Sequence, residues 1–125
     1  MMDNLIMKGT KDTPEVFFDF NKGLFSMKGR SLSENSFAFF LPIFANMEAY
    51  LKQPLPSTTF ELQFEYLNSS SFKLVIDLLL LSKKMSTDEN KISVKWIYEA
   101  DDEDILLLGE ETSRITGLPF EFAPY

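Results

Sequence analysis

From Thr58 to Leu67 the chain alternates strictly: Phe60, Leu62, Phe64 and Tyr66 fall on one side, Thr59, Glu61, Gln63 and Glu65 on the other, and Leu67 ends the run. An alternation this long is a β-strand with one face in a core and the other in water. Asn68-Ser-Ser-Ser71 breaks it and supplies side chains suited to cap a helix. Phe72 to Lys84 then carries Phe72, Leu74, Val75, Ile76 and Leu78 to Leu81, so it reads as a helix apolar on most sides. After the polar connector Ser86–Lys91, a second strand runs from Ile92 to Tyr98, with Ile92, Val94, Trp96 and Tyr98 alternating against Ser93, Lys95 and Ile97. A strand, a helix and a strand in this order close as a right-handed parallel crossover. The chain must therefore build a sheet with helices packed against it.

The flanking segments extend that unit. Glu15–Phe20 and Leu24–Lys28, joined by Asn21-Lys-Gly23, predict a hairpin. Gly29–Ser33 reads as a loop in which Ser31 or Ser33 caps a helix from Glu34 to Gln53. Phe37, Phe40, Leu41, Phe44, Met47, Tyr50 and Leu51 form its stripe, and Pro42 within it predicts a kink or break. Gln53–Pro56 ends that helix. A last helix is expected from Asp101 to about Ile115, with Gly109 marking a close contact or bend. Gly117–Phe120 turns the chain into a short extended tail. The expected architecture is α/β, a single mixed β-sheet with an N-terminal hairpin and packed helices, in one domain spanning residues 1–125.

Composition then narrows the chemistry. The 125 residues are 45% hydrophobic, enough for one buried core. There is no His and no Cys, which excludes a Ser-His-Asp triad, thiol nucleophiles, thiolate or His-ligated metals and disulfides. What remains is carboxylate, hydroxyl and Lys/Arg chemistry. A net charge of −7 argues against nucleic acid and anionic membranes as partners. The start, MMDNLIMKGTKD, has no basic n-region, and Leu78–Leu81 with its flanks is too short to insert in a membrane, so a cytoplasmic protein is expected.

Three segments are candidates for function. Tyr66–Phe72 lies at the carboxyl end of a strand and the start of a helix, where open α/β sheets place their sites and free N–H groups attract anions. A serine there is suited to accept a phosphoryl group; equally, Asn68 and the serines serve as caps. No Walker loop is present. Glu99-Ala-Asp-Asp-Glu-Asp104 reads as a Mg²⁺ site, as an acidic docking surface, or as carboxylates compensating a helix dipole. If the two parallel strands are neighbours, this segment shares a sheet edge with Asn68 and Ser69. Asp19–Gly23 resembles the start of a calcium loop, but the later ligand spacing fails. In Gly29–Ser36, Arg30 suits a carboxylate or phosphate, or belongs to an ordinary loop.

Gly29-Arg-Ser-Leu-Ser-Glu-Asn-Ser36, Glu65-Tyr-Leu-Asn-Ser-Ser-Ser-Phe-Lys73 and Trp96-Ile-Tyr-Glu-Ala-Asp-Asp-Glu-Asp104 with Gly109-Glu110 together resemble the SiaC family of bacterial regulatory phosphoproteins. Thr13-Pro14 and Leu118-Pro-Phe120 also fit, so the resemblance spans nearly the whole chain. It implies a STAS-like fold, similar to anti-sigma-factor antagonists, and a partner-switching role with no cofactor and no metal. In that role a dedicated protein kinase phosphorylates the protein, a PP2C-type phosphatase reverses this, and the unphosphorylated form stimulates a GGDEF diguanylate cyclase, the enzyme class behind c-di-GMP control of biofilms. The family's acceptor, the hydroxyl residue directly after Asn, falls on Ser69, with Ser70 and Ser71 as alternatives. Ser69 stands where Thr is usual, and Ser33 where Pro is usual. Arg30, Glu34, Asn35, Tyr66, Asn68, Ser70, Glu99, Asp101 and Asp102 are the expected partner-binding residues. Two rival readings are a Mg²⁺-dependent hydrolase or phosphoryl-transfer enzyme using Glu99, Asp101 and Asp102, and a constitutive oligomeric binding module with a Phe-rich surface.

Overall fold

The structure, a computed structural model, describes residues 2–125. Its elements are β1 (Leu5–Met7), β2 (Glu15–Asp19), β3 (Leu24–Ser31), α1 (Ser36–Tyr50), β4 (Ser57–Leu67), α2 (Ser69–Met85), β5 (Lys91–Tyr98), α3 (Glu103–Thr116) and β6 (Phe120–Pro124). The six strands lie in the sheet in chain order. β1–β2 and β2–β3 pair antiparallel, and β3–β4, β4–β5 and β5–β6 pair parallel. Each parallel step needs a crossover helix. Three crossovers of one hand, stepping the same way, lay α1, α2 and α3 on one face of the sheet.

The register shows what that face buries. Phe18, Phe25, Phe60, Val94 and Phe120 form one row across the strands, and Val16, Met27, Leu62, Trp96 and Phe122 form the next. With Phe40, Ile43 and Met47 of α1, Val75, Leu78 and Leu79 of α2 and Ile105 of α3, they make one continuous core. The other face carries Ser26, Glu61, Lys95 and Glu121 in register and meets water. This is why β4 and β5 alternate, whereas parallel strands between two helix layers are apolar on both sides. Trp96 is fully buried, and its indole N–H donates to the Ile105 carbonyl at 3.0 Å, pinning α3 to the sheet. Gly109 permits that approach, because a Cβ there would lie 2.4 Å from the indole nitrogen.

The mixed α/β architecture expected from the sequence is present, with differences in detail. β1 was not expected: three residues carry no usable period, and the strand exists because β2 offers an edge to pair with. The tail is a sixth strand, held to β5 from Val94↔Phe120 to Tyr98↔Pro124. Gly29–Ser31, expected as loop, belongs to β3. α1 starts at Ser36 rather than Glu34, because Asn35 is the cap, its side chain accepting from the Ala38 N–H at 3.2 Å. It ends at Tyr50, short of Gln53, and it is continuous through Pro42. Pro42 and Ala38, whose carbonyl loses its helical donor, are both exposed, so that carbonyl is open to solvent and not left buried without a donor. α2 starts at Ser69, three residues before Phe72, and α3 at Glu103 with Asp102 as its cap.

Candidate functional site

The carboxyl ends of β3, β4, β5 and β6 share one edge of the sheet, and the starts of α1, α2 and α3 gather there. At α2, Asn68 is extended (φ −77°, ψ 170°) and its side-chain oxygen accepts from the Ser71 N–H at 2.9 Å. Its amide nitrogen donates to the Ser33 carbonyl at 3.2 Å, and its backbone N–H donates to Ser31 at 2.9 Å. Asn68 therefore caps α2 and ties it to the β3–α1 connection. The first turn of α2 contains no acidic residue, so the positive end of its dipole has no local counter-charge.

Ser69, Ser70 and Ser71 have different environments. Ser71 is fully buried, and Ser31, also buried, donates to its hydroxyl at 2.7 Å. Ser71 in turn lies 3.0 Å from the buried Ser36 hydroxyl, whose own proton goes to the Ser33 carbonyl at 2.9 Å. The hydroxyls thus run donor to acceptor from β3 through α2 to α1. Ser70 is exposed but occupied, 3.2 Å from the Asn68 side-chain oxygen and 3.0 Å from Ser36. Ser69 is exposed at the first position of the helix, and among the described residues its hydroxyl has no partner. Ser31 and Ser36 were missed as members of this cluster, since Ser31 and Ser71 are 40 residues apart. One signal was available: stepping back four from Phe40 on the apolar stripe of α1 lands on Ser36.

Tyr66 departs from the strand's alternation. The pairing of β3 with β4 shifts at Gly29/Arg30, so that Gly29 opposes Phe64, Arg30 opposes Tyr66 and Glu65 is left over. Gly29 has φ +126°, which suits glycine at such a bulge. The shift turns Tyr66 out of the core face, leaving it 49% exposed beside Arg30, while Leu67 takes the buried position. Glu34 is exposed just before the Asn35 cap.

The acidic segment lies at the same edge. Asp102 caps α3, accepting from the Ile105 N–H at 3.1 Å, and Glu103 and Asp104 occupy the first turn. Glu99, Asp101, Asp102, Glu103 and Asp104 line a wide, shallow depression of about 400 Å³. A smaller cleft of about 110 Å³ between Phe64, Glu65, Glu99, Asp102 and Tyr125 joins the ends of β4, β5 and β6. Among the described residues no group of three carboxylates converges where a metal ion could be held. Asp19 is occupied by its own turn, accepting from the N–H groups of Asn21 and Lys22 at 3.0 and 3.1 Å. No helix among the described residues is long and apolar enough to cross a membrane.

Comparison with known proteins adds a family to this geometry. The profile of the SiaC family regulatory phosphoproteins matches residues 7–125. An uncharacterized protein of Pseudomonas aeruginosa strain UCBPP-PA14 is 31% identical over 119 residues, covering 95% of this chain and 94% of that one. The crystal structure of the diguanylate cyclase SiaD in complex with its activator SiaC, also from Pseudomonas aeruginosa, contains a chain similar to this one. The TM-score is 0.89 at 30% identity, over 97% of this chain and 99% of that one. The structure of apo-SiaC from the same organism gives a TM-score of 0.81 at 28% identity, over 98% of this chain and 99% of that one.

Proposed function

The chain belongs to the SiaC family of regulatory phosphoproteins, and from that premise we propose that it is a phosphorylation-controlled partner switch whose acceptor is Ser69. In this reading a cognate kinase places the phosphate and a PP2C-type phosphatase removes it in the cytoplasm. The unphosphorylated form binds and stimulates a GGDEF diguanylate cyclase. The chain itself acts as a regulator rather than an enzyme. Support for the cyclase as partner comes from SiaC, to which this chain is similar and which is the activator of SiaD.

One observation carries the choice of acceptor: of the three serines, Ser69 alone has an exposed hydroxyl without a partner among the described residues. Modifying Ser71 requires breaking a buried hydroxyl chain first. A phosphate on Ser69 adds about −1.5 to −2 charges at a helix start free of acids, where the dipole favours them. The fold therefore tolerates the modification, and the effect falls on the interface. Arg30, Glu34, Asn35, Tyr66, Asn68, Ser70, Glu99, Asp101 and Asp102 belong to segments at the same sheet edge as Ser69 and are the partner-binding residues of this reading. A partner that packs on Ser69 loses a hydrogen bond and strands a charge, a cost of about 2–5 kcal/mol, or roughly 30- to 4,000-fold in Kd.

Two measurements test this. Mass spectrometry of the protein from its host should find phosphate on Ser69; phosphate confined to another residue, or none under any growth condition, overturns the assignment. Titration of Ser69→Asp against purified SiaD should show a Kd weakened at least 30-fold relative to the unmodified chain. Equal affinity of the two forms would end the switch mechanism.

A further inference from the structure

α2 carries little charge near its start. The stretch Ser69–Ile76 contains one charged side chain, Lys73, and the next along the helix is Asp77. The helix period decides where Lys73 sits. Each residue turns about 100° and rises about 1.5 Å, so Lys73, four residues after Ser69, lies about 40° from it around the axis and about 6 Å along it. Residues at this spacing are neighbours on a helix surface.

The contacts of α2 fix which surface that is. Ser71, Val75, Leu78, Leu79 and Ser82 form its buried side, and a wheel centred on them puts Lys73 diametrically opposite. On one flank Ser70 lies 3.0 Å from Ser36 of α1, and on the other Lys83 donates to the Thr116 carbonyl of α3 at 2.6 Å. Ser69 and Lys73 therefore share the outward side of α2, and both are exposed, as are Leu80 and Lys84 further along that side. Two other cations at this sheet edge are placed differently. Side chains alternate along a strand, and Ser31 points to α2, donating to Ser71, so Arg30 points to the opposite face of the sheet. Lys11 lies on the β1–β2 connection, on the far side of β3 from β4, where the neighbouring Asp12 carbonyl accepts from the Leu32 N–H at 3.0 Å. Glu34 before α1, Glu65 on β4 and the acids at the start of α3 repel a phosphate.

We propose that Lys73 receives the phosphate: in the chain phosphorylated on Ser69, its ammonium pairs in cis with the group one turn before it. The inference rests on the reading of Ser69 as the acceptor and adds the cation that holds the modified state. Orientation favours the pair. An acid one turn ahead of a lysine stabilises a helix more than an acid one turn behind it. On its own helix the unmodified chain offers Lys73 only the poorer arrangement, with Asp77. Phosphorylation supplies the better one, with about −1.5 to −2 charges. The modified serine thus reinforces the first turns of α2 instead of melting them. One ammonium offsets part of the phosphate's charge, and the remainder still meets any partner that packs on Ser69.

The test uses the full chain with phosphoserine genetically encoded at position 69, and phosphorus NMR to follow the second ionisation of the phosphate. A neighbouring ammonium favours the dianion. The pKa should therefore lie below that of the same protein carrying Lys73→Gln, by about 0.2 to 0.4 units. Lys73→Arg should restore the lower value. Lys84→Gln makes the same change in net charge on the same side of α2, but about 22 Å from Ser69 and past the screening length, so it should leave the pKa in place. A difference under about 0.1 unit between the chains with Lys73 and with Lys73→Gln overturns the pair. So does a shift from Lys84→Gln, Arg30→Gln or Lys11→Gln as large as that from Lys73→Gln, which assigns the effect to net charge or to another cation. Neither result touches the choice of acceptor, because the phosphate is installed at Ser69. Absence of phosphate from Ser69 in the protein from its host overturns that choice, and this inference with it.

Discussion

The starts of α2 and α3 lie on the same sheet edge and are capped alike: Asn68 accepts from Ser71 at 2.9 Å, and Asp102 accepts from Ile105 at 3.1 Å. They differ in everything else. α3 fills its first turn with Glu103 and Asp104, neutralising its dipole, and is pinned by the indole of Trp96. α2 has no acid in its first turn and is held by small hydroxyls, with Ser69 left open to solvent. One helix start is electrostatically complete and the other is not. The lesson is that a cap and an anion site use the same backbone geometry, and the side chains of the first turn decide between them. Asn68 takes the Ser71 N–H, and the remaining positive field at α2 is available to a charge that arrives later.

The largest test of this contrast is at α3. Gly109→Ala places a Cβ against a fully buried indole and displaces the bond to Ile105. Overpacking and the lost bond outweigh the roughly 1 kcal/mol that Ala gains in helix propensity, so urea unfolding should show a loss of about 2–4 kcal/mol. A change below about 1 kcal/mol would mean that Trp96 does not anchor the helix. The two caps give a smaller and more discriminating pair. Asn68→Ala and Asp102→Ala should each cost about 1 kcal/mol. The Asp102 cost includes a charge–dipole part that shrinks at high salt, while the Asn68 cost is salt-independent. Unfolding at low and at about 1 M salt separates them, and identical salt responses would remove the electrostatic half of the comparison.

How much of this the sequence carried depends on the range of the interaction. β4, α2 and β5 were legible because alternation and apolar periodicity are local, and Asn68 was readable as a cap for the same reason. The edge shared by Ser69 and Asp102 followed from the parallel crossover alone. Tyr66 was legible only in part: its outward turn comes from a register shift in the pairing with another strand, at Gly29/Arg30. The sorting of the three serines was not legible at all, because Ser71 is buried by Ser31 and Ser36, both distant in sequence. β1 and β6 are strands by virtue of their neighbours, β2 and β5, rather than their own pattern.

The smallest expected effect is the most informative about α2. Ser69→Ala removes a hydroxyl that is exposed and has no partner among the described residues, and it leaves the Asn68 cap untouched. Ala and Ser differ little at an exposed helix start, so chemical unfolding should change by no more than about 0.5 kcal/mol. A loss above about 1 kcal/mol would make Ser69 a structural hydroxyl like Ser71 and erase the difference between them. A near-zero value has the opposite meaning. A serine that contributes nothing to folding, at the uncompensated end of a helix whose neighbouring hydroxyls are all engaged, leaves its oxygen free for chemistry. Replacing that hydroxyl's proton with a phosphate then breaks no contact of the fold, as a reversible switch requires.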